Sequence, residues 1–174
     1  MKKVILSLAI VALATASANA QTEKGTWLLG GSASFASEKQ KPADAVTRVN
    51  ISPAIGYFVA QDIAVGAGID LSSVKDSYTQ FGFAPFARYY FLPIGTNAKL
   101  FVNGKFGFGS WKPKTGDSES FTNWELSAGP AFFLNKSIAL EVALAYGSEK
   151  WKSDSDPTNS FGLKAGFQIH LGKK

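Results

Sequence analysis

The chain has 174 residues, with 18 Lys and Arg against 13 Asp and Glu, a single histidine and no cysteine. The missing thiols exclude disulfides, thiolate catalysis, cysteine-built zinc sites and a lipidated N-terminal cysteine. A formal charge of +5 is too mild to point to nucleic acid as a partner, and the length suits one domain.

Residues 1–20 read as an export signal. Lys2 and Lys3 precede an apolar run over 4–14, and Ala18-Asn19-Ala20 sets small residues where a signal peptidase cuts. The expected organisation is therefore a cleaved signal peptide at 1–20 and one domain at 21–174. Without Lys2 and Lys3, 16 basic residues face 13 acidic ones, a balance of +3. The apolar run is shorter than the roughly 20 residues a spanning helix needs, and no later segment supplies such a run.

From residue 25 onward the side chains alternate with a period of two, the pattern of strands whose faces see different surroundings. The first predicted strand, 25–37, turns Trp27, Leu29, Ala33 and Phe35 to one side. The second, 47–59, sets Val49, Ile51, Pro53, Ile55 and Tyr57 against Arg48, Asn50, Ser52 and Gly56. Strand three, 62–74, sets Ile63, Val65, Ile69 and Leu71 against Gly66, Gly68 and Asp70, and strand four, 79–91, sets Phe81, Phe83, Pro85, Tyr89 and Phe91 against Gly82, Ala84 and Arg88. Strand five, 98–111, opposes Leu100, Val102, Phe106 and Phe108 to Asn103, Lys105, Gly107 and Gly109. Strand six, 121–133, opposes Trp124, Leu126, Ala128, Pro130 and Phe132 to Glu125, Ser127 and Gly129. Strand seven, 138–148, opposes Leu140, Val142, Leu144 and Tyr146 to Glu141, Ala143 and Ala145, and the last, 161–171, opposes Phe161, Leu163, Phe167, Ile169 and Leu171 to Gly162, Lys164, Gly166, Gln168 and His170.

Eight alternating strands fit an all-β, antiparallel, up-and-down barrel. Volume decides which row faces out. An eight-stranded barrel is only wide enough to be filled by side chains or to hold one small ligand, so the bulky row would overfill it while the small and polar row fits. The bulky row is therefore expected to face lipid, as in a transmembrane barrel, and not to line a soluble one. Mean hydropathy near zero, +0.02, follows because half of every strand is small or polar.

The connections alternate in length. Residues 60–61, 92–97 and 134–137 are short, whereas 38–46, 112–120 and 152–159 are longer and polar; 75–78 is a short exception. Outer-membrane barrels have short periplasmic turns and longer external loops, which places both termini in the periplasm. Trp27, Tyr57, Tyr89, Phe91 and Phe132 would form the lower aromatic girdle, and Phe35, Phe81, Phe108, Trp124 and Tyr146 the upper one. Trp111 and Trp151 fall off the outward parity and are assigned to loop bases. Pro53, Pro85 and Pro130 each precede an aromatic cluster and a short turn. Proline cannot donate to a ladder, so they are expected at bulges or unpaired acceptors.

On this parity Arg48, Asp70, Arg88, Lys105, Glu125, Glu141 and Lys164 enter the lumen. Buried charges persist when compensated, so the expectation is a salt-bridged plug, with Lys105 and Lys164 flanking Glu125 and Glu141. The alternative is a narrow channel, or a porin-like carrier of a small solute or hydrophobic ligand, whose charges select what passes. A lipid-modifying enzyme is a minor alternative: His170 points into the lumen, and its same-face neighbours Gln168 and Gly172 offer no hydroxyl to activate. No catalytic residue, cofactor or metal ligand is nominated. Gly66-Ala67-Gly68 and Gly107-Phe108-Gly109 lack the following helix a phosphate loop needs, and the glycosylation triplet Asn50-Ile51-Ser52 lies within a predicted strand.

With these features in place, the chain from Gly25 to Leu171 resembles the small outer-membrane barrels of Gram-negative bacteria, the OmpX-like and OmpA-like group. Within the last strand, Lys164, Gly166, Ile169 and Leu171 resemble the polar-x-Gly-x-x-apolar-x-apolar signal read by the barrel-insertion machinery. The resemblance implies passage by periplasmic chaperones, assembly by that machinery into outer-membrane lipid, and external loops as the variable functional part; a monomer is expected, with a surface partner at the loops whose identity the sequence does not name.

Overall fold

The computed structural model describes residues 22–38, 46–74, 78–114, 116–153 and 156–172, with the side chains of 34–38, 46–49 and 74 left aside. The export signal at 1–20 lies outside the described residues. Eight antiparallel strands form one closed barrel in chain order: β1 Trp27–Glu38, β2 Val46–Ala60, β3 Ile63–Val74, β4 Tyr78–Ile94, β5 Ala98–Pro113, β6 Glu119–Phe133, β7 Ile138–Trp151 and β8 Thr158–Leu171. Several strands run past the bounds set by the apolar alternation, because the hairpin ladders continue after the bulky row ends. Trp111 pairs with Glu119, and Glu149 with Thr158.

Three tight connections crowd one end, here the turn end. Gln61 and Asp62 join β2 to β3, and Asp62 adopts a left-handed φ of 62°, a conformation that Asp tolerates better than most residues. Its backbone N–H donates to the Thr22 carbonyl at 2.8 Å and its carbonyl accepts from Tyr90 N–H at 2.9 Å, so the turn is tied to both the N-terminal segment and β4. Both chain ends of the barrel, Trp27 and Leu171, pair at this same end. The opposite end, the loop end, carries the longer connections, apart from the three residues between β3 and β4.

The two faces sort as the alternation predicts. Ile51, Ile55, Val65, Leu71, Phe83, Phe106, Leu126, Leu140, Val142 and Leu144 are exposed on the outside. The barrel seam is shorter than the other ladders: β1 and β8 pair only from Trp27↔Leu171 to Ala33↔Ala165.

Of the two expected settings for the prolines, bulges or unpaired acceptors, the structure shows the second. None sits at a bulge; the register is continuous through Pro53, Pro85 and Pro130 on the side of the preceding strand. Toward the following strand the ladder skips the proline and the residue before it, then resumes in the same register: Ile51↔Leu71 then Ala54↔Gly68, Phe83↔Phe108 then Phe86↔Lys105, and Ala128↔Leu144 then Ala131↔Glu141. A missing N–H thus interrupts pairing on one side only. The register shifts lie between Phe58 and Ala60 and between Tyr90 and Leu92, where β2 and β4 approach their turns.

Candidate functional site

The lumen is not uniformly small and polar. Leu28, Phe58, Tyr90, Phe101 and Phe133 converge inside the turn end and are each no more than 2% exposed. His170, fully buried, stands among them, with ring centroids 5.4 Å from Phe133, 5.7 Å from Phe58 and 6.1 Å from Tyr90. The single histidine is thereby part of an aromatic stack that closes this end.

The inward row is small on average, yet its bulk is concentrated at a few positions near the turn end. Glycines make the room. A Cβ on Gly66 would lie 2.7 Å from the Phe86 ring and 2.6 Å from Gly56 Cα, and one on Gly109 would lie 2.6 Å from the Phe121 ring. The small positions on neighbouring strands are what let inward aromatics fit, so a face read as small in one strand is filled from the next.

Above the aromatic stack the lumen charges stand in tiers. Deepest is Arg88–Glu141, whose guanidinium and carboxylate meet at 2.7 Å with side-chain exposures of 10% and 6%. Glu141 also accepts from the Tyr90 hydroxyl at 3.3 Å and from Gln168 Nε2 at 3.1 Å. Arg88 reaches Asn103 at 3.3 Å and lies 4.6 Å above the Phe101 ring. The next tier pairs Lys105 with Asp70 at 2.9 Å, with Ser52 donating to the same carboxylate at 2.6 Å. Nearest the loop end Lys164 meets Glu125 at 2.7 Å, with exposures of 26% and 19%.

The partner choice meets the sequence expectation at Lys164–Glu125 and departs from it at Glu141, which takes Arg88, and at Lys105, which takes Asp70. Glu125 pairs across the β6–β7 ladder with Gly147, and Glu141 with Ala131, so the two carboxylates sit at different depths and share no cation among these pairs. Shear staggers neighbouring strands, which brings Arg88 of β4 to Glu141 of β7. The Arg48 side chain lies outside the described residues.

A further pair that parity did not single out ties the turn end. Lys99 donates to Asp62 at 2.6 Å and to the Thr22 hydroxyl at 2.8 Å. Burial alone would raise the Asp62 carboxyl, but hydrogen bonds from Lys99 and Thr22 and the Lys99 charge outweigh it and hold the pKa below the ordinary carboxylate value. Both carry the inward parity of the predicted strands 62–74 and 98–111, at the very start of each, so the alternation extended to the turns could have found the pair.

A narrow void of about 80 Å³ remains beside Arg88, Lys105 and Glu141. Toward the loop end stands a vestibule of about 890 Å³, which shares Asp70, Lys105 and Lys164 with that void and is lined also by Asn50, Gln80, Asn123 and Glu125. Trp111 and Trp151, expected at loop bases, meet edge to face at 5.8 Å on the vestibule wall, with Tyr78 5.8 Å from Trp111. Gln80 donates to Glu149 at 2.9 Å. Glu119 accepts from both the hydroxyl and the backbone N–H of Ser153, which links the β5–β6 and β7–β8 connections.

On the outer wall, Trp27, Tyr57, Tyr89, Phe91 and Phe132 are exposed toward the turn end, with Trp27 and Tyr57 5.2 Å apart. Phe81, Phe108, Trp124 and Tyr146 are exposed toward the loop end, with Trp124 and Tyr146 5.6 Å apart. The Phe35 side chain lies outside the described residues. In β8, Lys164 and Gly166 face the lumen side, Leu171 is exposed and Ile169 is half-buried.

No protein-family model matches the chain, and no curated protein matches it. Solved structures do. The crystal structure of Neisserial surface protein A matches with a TM-score of 0.65 at 12% identity, covering 84% of this chain and 97% of that one. The N-terminal β-barrel domain of Pseudomonas aeruginosa OprF matches with a TM-score of 0.63 at 10% identity, covering 87% and 100%. The apolar outer wall, the inward charges and these two likenesses agree on one architecture: the fold is that of the eight-stranded outer-membrane β-barrels.

Proposed function

We propose that the chain is a non-catalytic integral protein of the Gram-negative outer membrane, with a closed lumen and a surface role carried by its loop end. The observation that carries this reading is the pairing of an apolar outer wall, flanked by aromatic residues at both ends, with a lumen stopped by Leu28, Phe58, Tyr90, Phe133 and His170. Such a wall is stable in hydrocarbon, where a closed barrel leaves no backbone edge unsatisfied. The turn end and both termini are then periplasmic and the loops external. Residues 1–20 direct export, periplasmic chaperones carry the mature chain, and the end of β8 presents Lys164, Gly166, Ile169 and Leu171 to the insertion machinery.

Planar-bilayer recording on refolded protein tests the closed lumen. Wild type is expected to conduct little. Steady, large, ion-selective currents, with Glu141→Ala changing selectivity and leaving stability unchanged, would overturn this reading. They would favour the second one, a narrow conduit, for which the loop-end vestibule and the 80 Å³ void that shares Asp70, Lys105 and Lys164 with it are the supporting observation.

A further inference from the structure

Outside the lumen, a groove of about 620 Å³ crosses the outer wall of β4 to β7 near the loop end. Its two sides differ chemically. Phe81, Phe83 and Phe108 stand on β4 and β5, with the rings of Phe83 and Phe108 5.7 Å apart. Lys150 near the end of β7 and Lys152 just beyond it form the other side, both exposed. The register explains the layout. Phe83 pairs with Phe108, Phe108 with Thr122 and Thr122 with Lys150, so one row runs from ring to ammonium across four strands. In the next row Phe81 pairs with Ser110 and Ser110 with Ser120, whose carbonyl accepts the Lys152 N–H at 3.0 Å. Three hydroxyls, Ser110, Ser120 and Thr122, therefore floor the groove between the apolar and the cationic side.

Hydrocarbon gains nothing from hydroxyls and ammonium groups, whereas a phosphate takes charge-assisted hydrogen bonds from both. Acyl chains gain from the aromatic side. Width argues for the headgroup: from β4 to β7 is three strand spacings, roughly 14 Å, broader than one phosphodiester and suited to a phosphate carried on sugar. We propose that this groove binds a phosphate-bearing, multiply acylated glycolipid of the external leaflet. Its phosphate sits at Lys150, Lys152 and the hydroxyl floor, and its chains run along Phe81, Phe83 and Phe108. The occupant rests on the reading above that the loop end is external.

The test uses the full folded protein in detergent, with native mass spectrometry of a bis-phosphorylated, acylated glucosamine disaccharide and of its dephosphorylated form. The phosphorylated form should be retained in preference. Lys150→Gln and Lys152→Gln should each weaken retention about fivefold, the attraction of one lysine to an anionic lipid surface. Lys150→Arg should restore it, and Lys136→Gln at the turn end should leave it unchanged. Equal retention of both lipid forms, or an equal loss with Lys136→Gln, would overturn the site. A tag inserted at Gly116 checks the placement separately: labelling on intact cells supports an external groove. Labelling only after lysis would overturn the placement and the occupant with it, even if the micelle assay discriminates.

Discussion

The two halves of the lumen use charge in opposite settings. Toward the loop end, Lys164 and Glu125 stand beside a large open vestibule with about a quarter and a fifth of their side-chain surfaces exposed. Toward the turn end, Arg88 and Glu141 are nearly sealed, over a stack of aromatic rings. Water reaches the first pair and screens it, so its worth is small. The second pair is held by protein partners: Glu141 takes hydrogen bonds from Arg88, Tyr90 and Gln168. The same residue types thus act as a solvated lining in one half and as a fixed plug in the other, and depth alone makes the difference.

The largest expected effect separates these halves. Glu141→Ala strands the buried Arg88 guanidinium and should lower stability by about 3 to 5 kcal/mol, whereas Glu125→Ala should cost about 1 kcal/mol or less because Lys164 regains water. Thermal unfolding midpoints in one detergent measure both. Equal losses would show that the turn half is as wet as the vestibule. Glu141→Gln keeps a hydrogen-bonding group in place and should fall between.

The contrast between inside and outside can be broken at adjacent residues of β7. Val142 is exposed on the outer wall and Ala143 is buried in the lumen. Val142→Arg should cost about 2 to 4 kcal/mol near the middle of a bilayer and impair folding into lipid vesicles. Ala143→Ser should fold nearly as wild type. The reverse order would mean that the apolar row does not meet lipid.

The smallest expected effect is at the turn end, where acid should act on the Asp62–Lys99 tie. The Asp62 pKa is held below its ordinary value in the folded protein. The folded state therefore binds fewer protons near that value, and the stability from this tie is complete above about pH 4 and falls as pH drops through the lowered pKa. The midpoint difference between wild type and Asp62→Asn should accordingly shrink as the solution is acidified below about pH 4. A difference that grows in acid would show that Lys99 does not hold Asp62 ionised.

By itself the sequence determined the strand number, the alternation and which row faces outward, because each follows from a two-residue period and from the volume that eight strands enclose. It also marked Asp70, Arg88, Lys105, Glu125, Glu141 and Lys164 as inward, since parity is a local property. Pairing was decided only by the tertiary structure. Which cation meets which carboxylate depends on the stagger between strands far apart in the chain, so Arg88 and not Lys105 or Lys164 reaches Glu141. The inward aromatics were likewise hidden: Phe86, packed against the turn-end stack, and Phe121, beside Trp151 toward the loop end, fit because Gly66 and Gly109 on adjacent strands leave space for them. The Lys150 to Phe83 row on the outer wall exists only once four strands lie in register. Parity is written within a strand, whereas depth, partners and neighbours across strands are set by closure of the barrel.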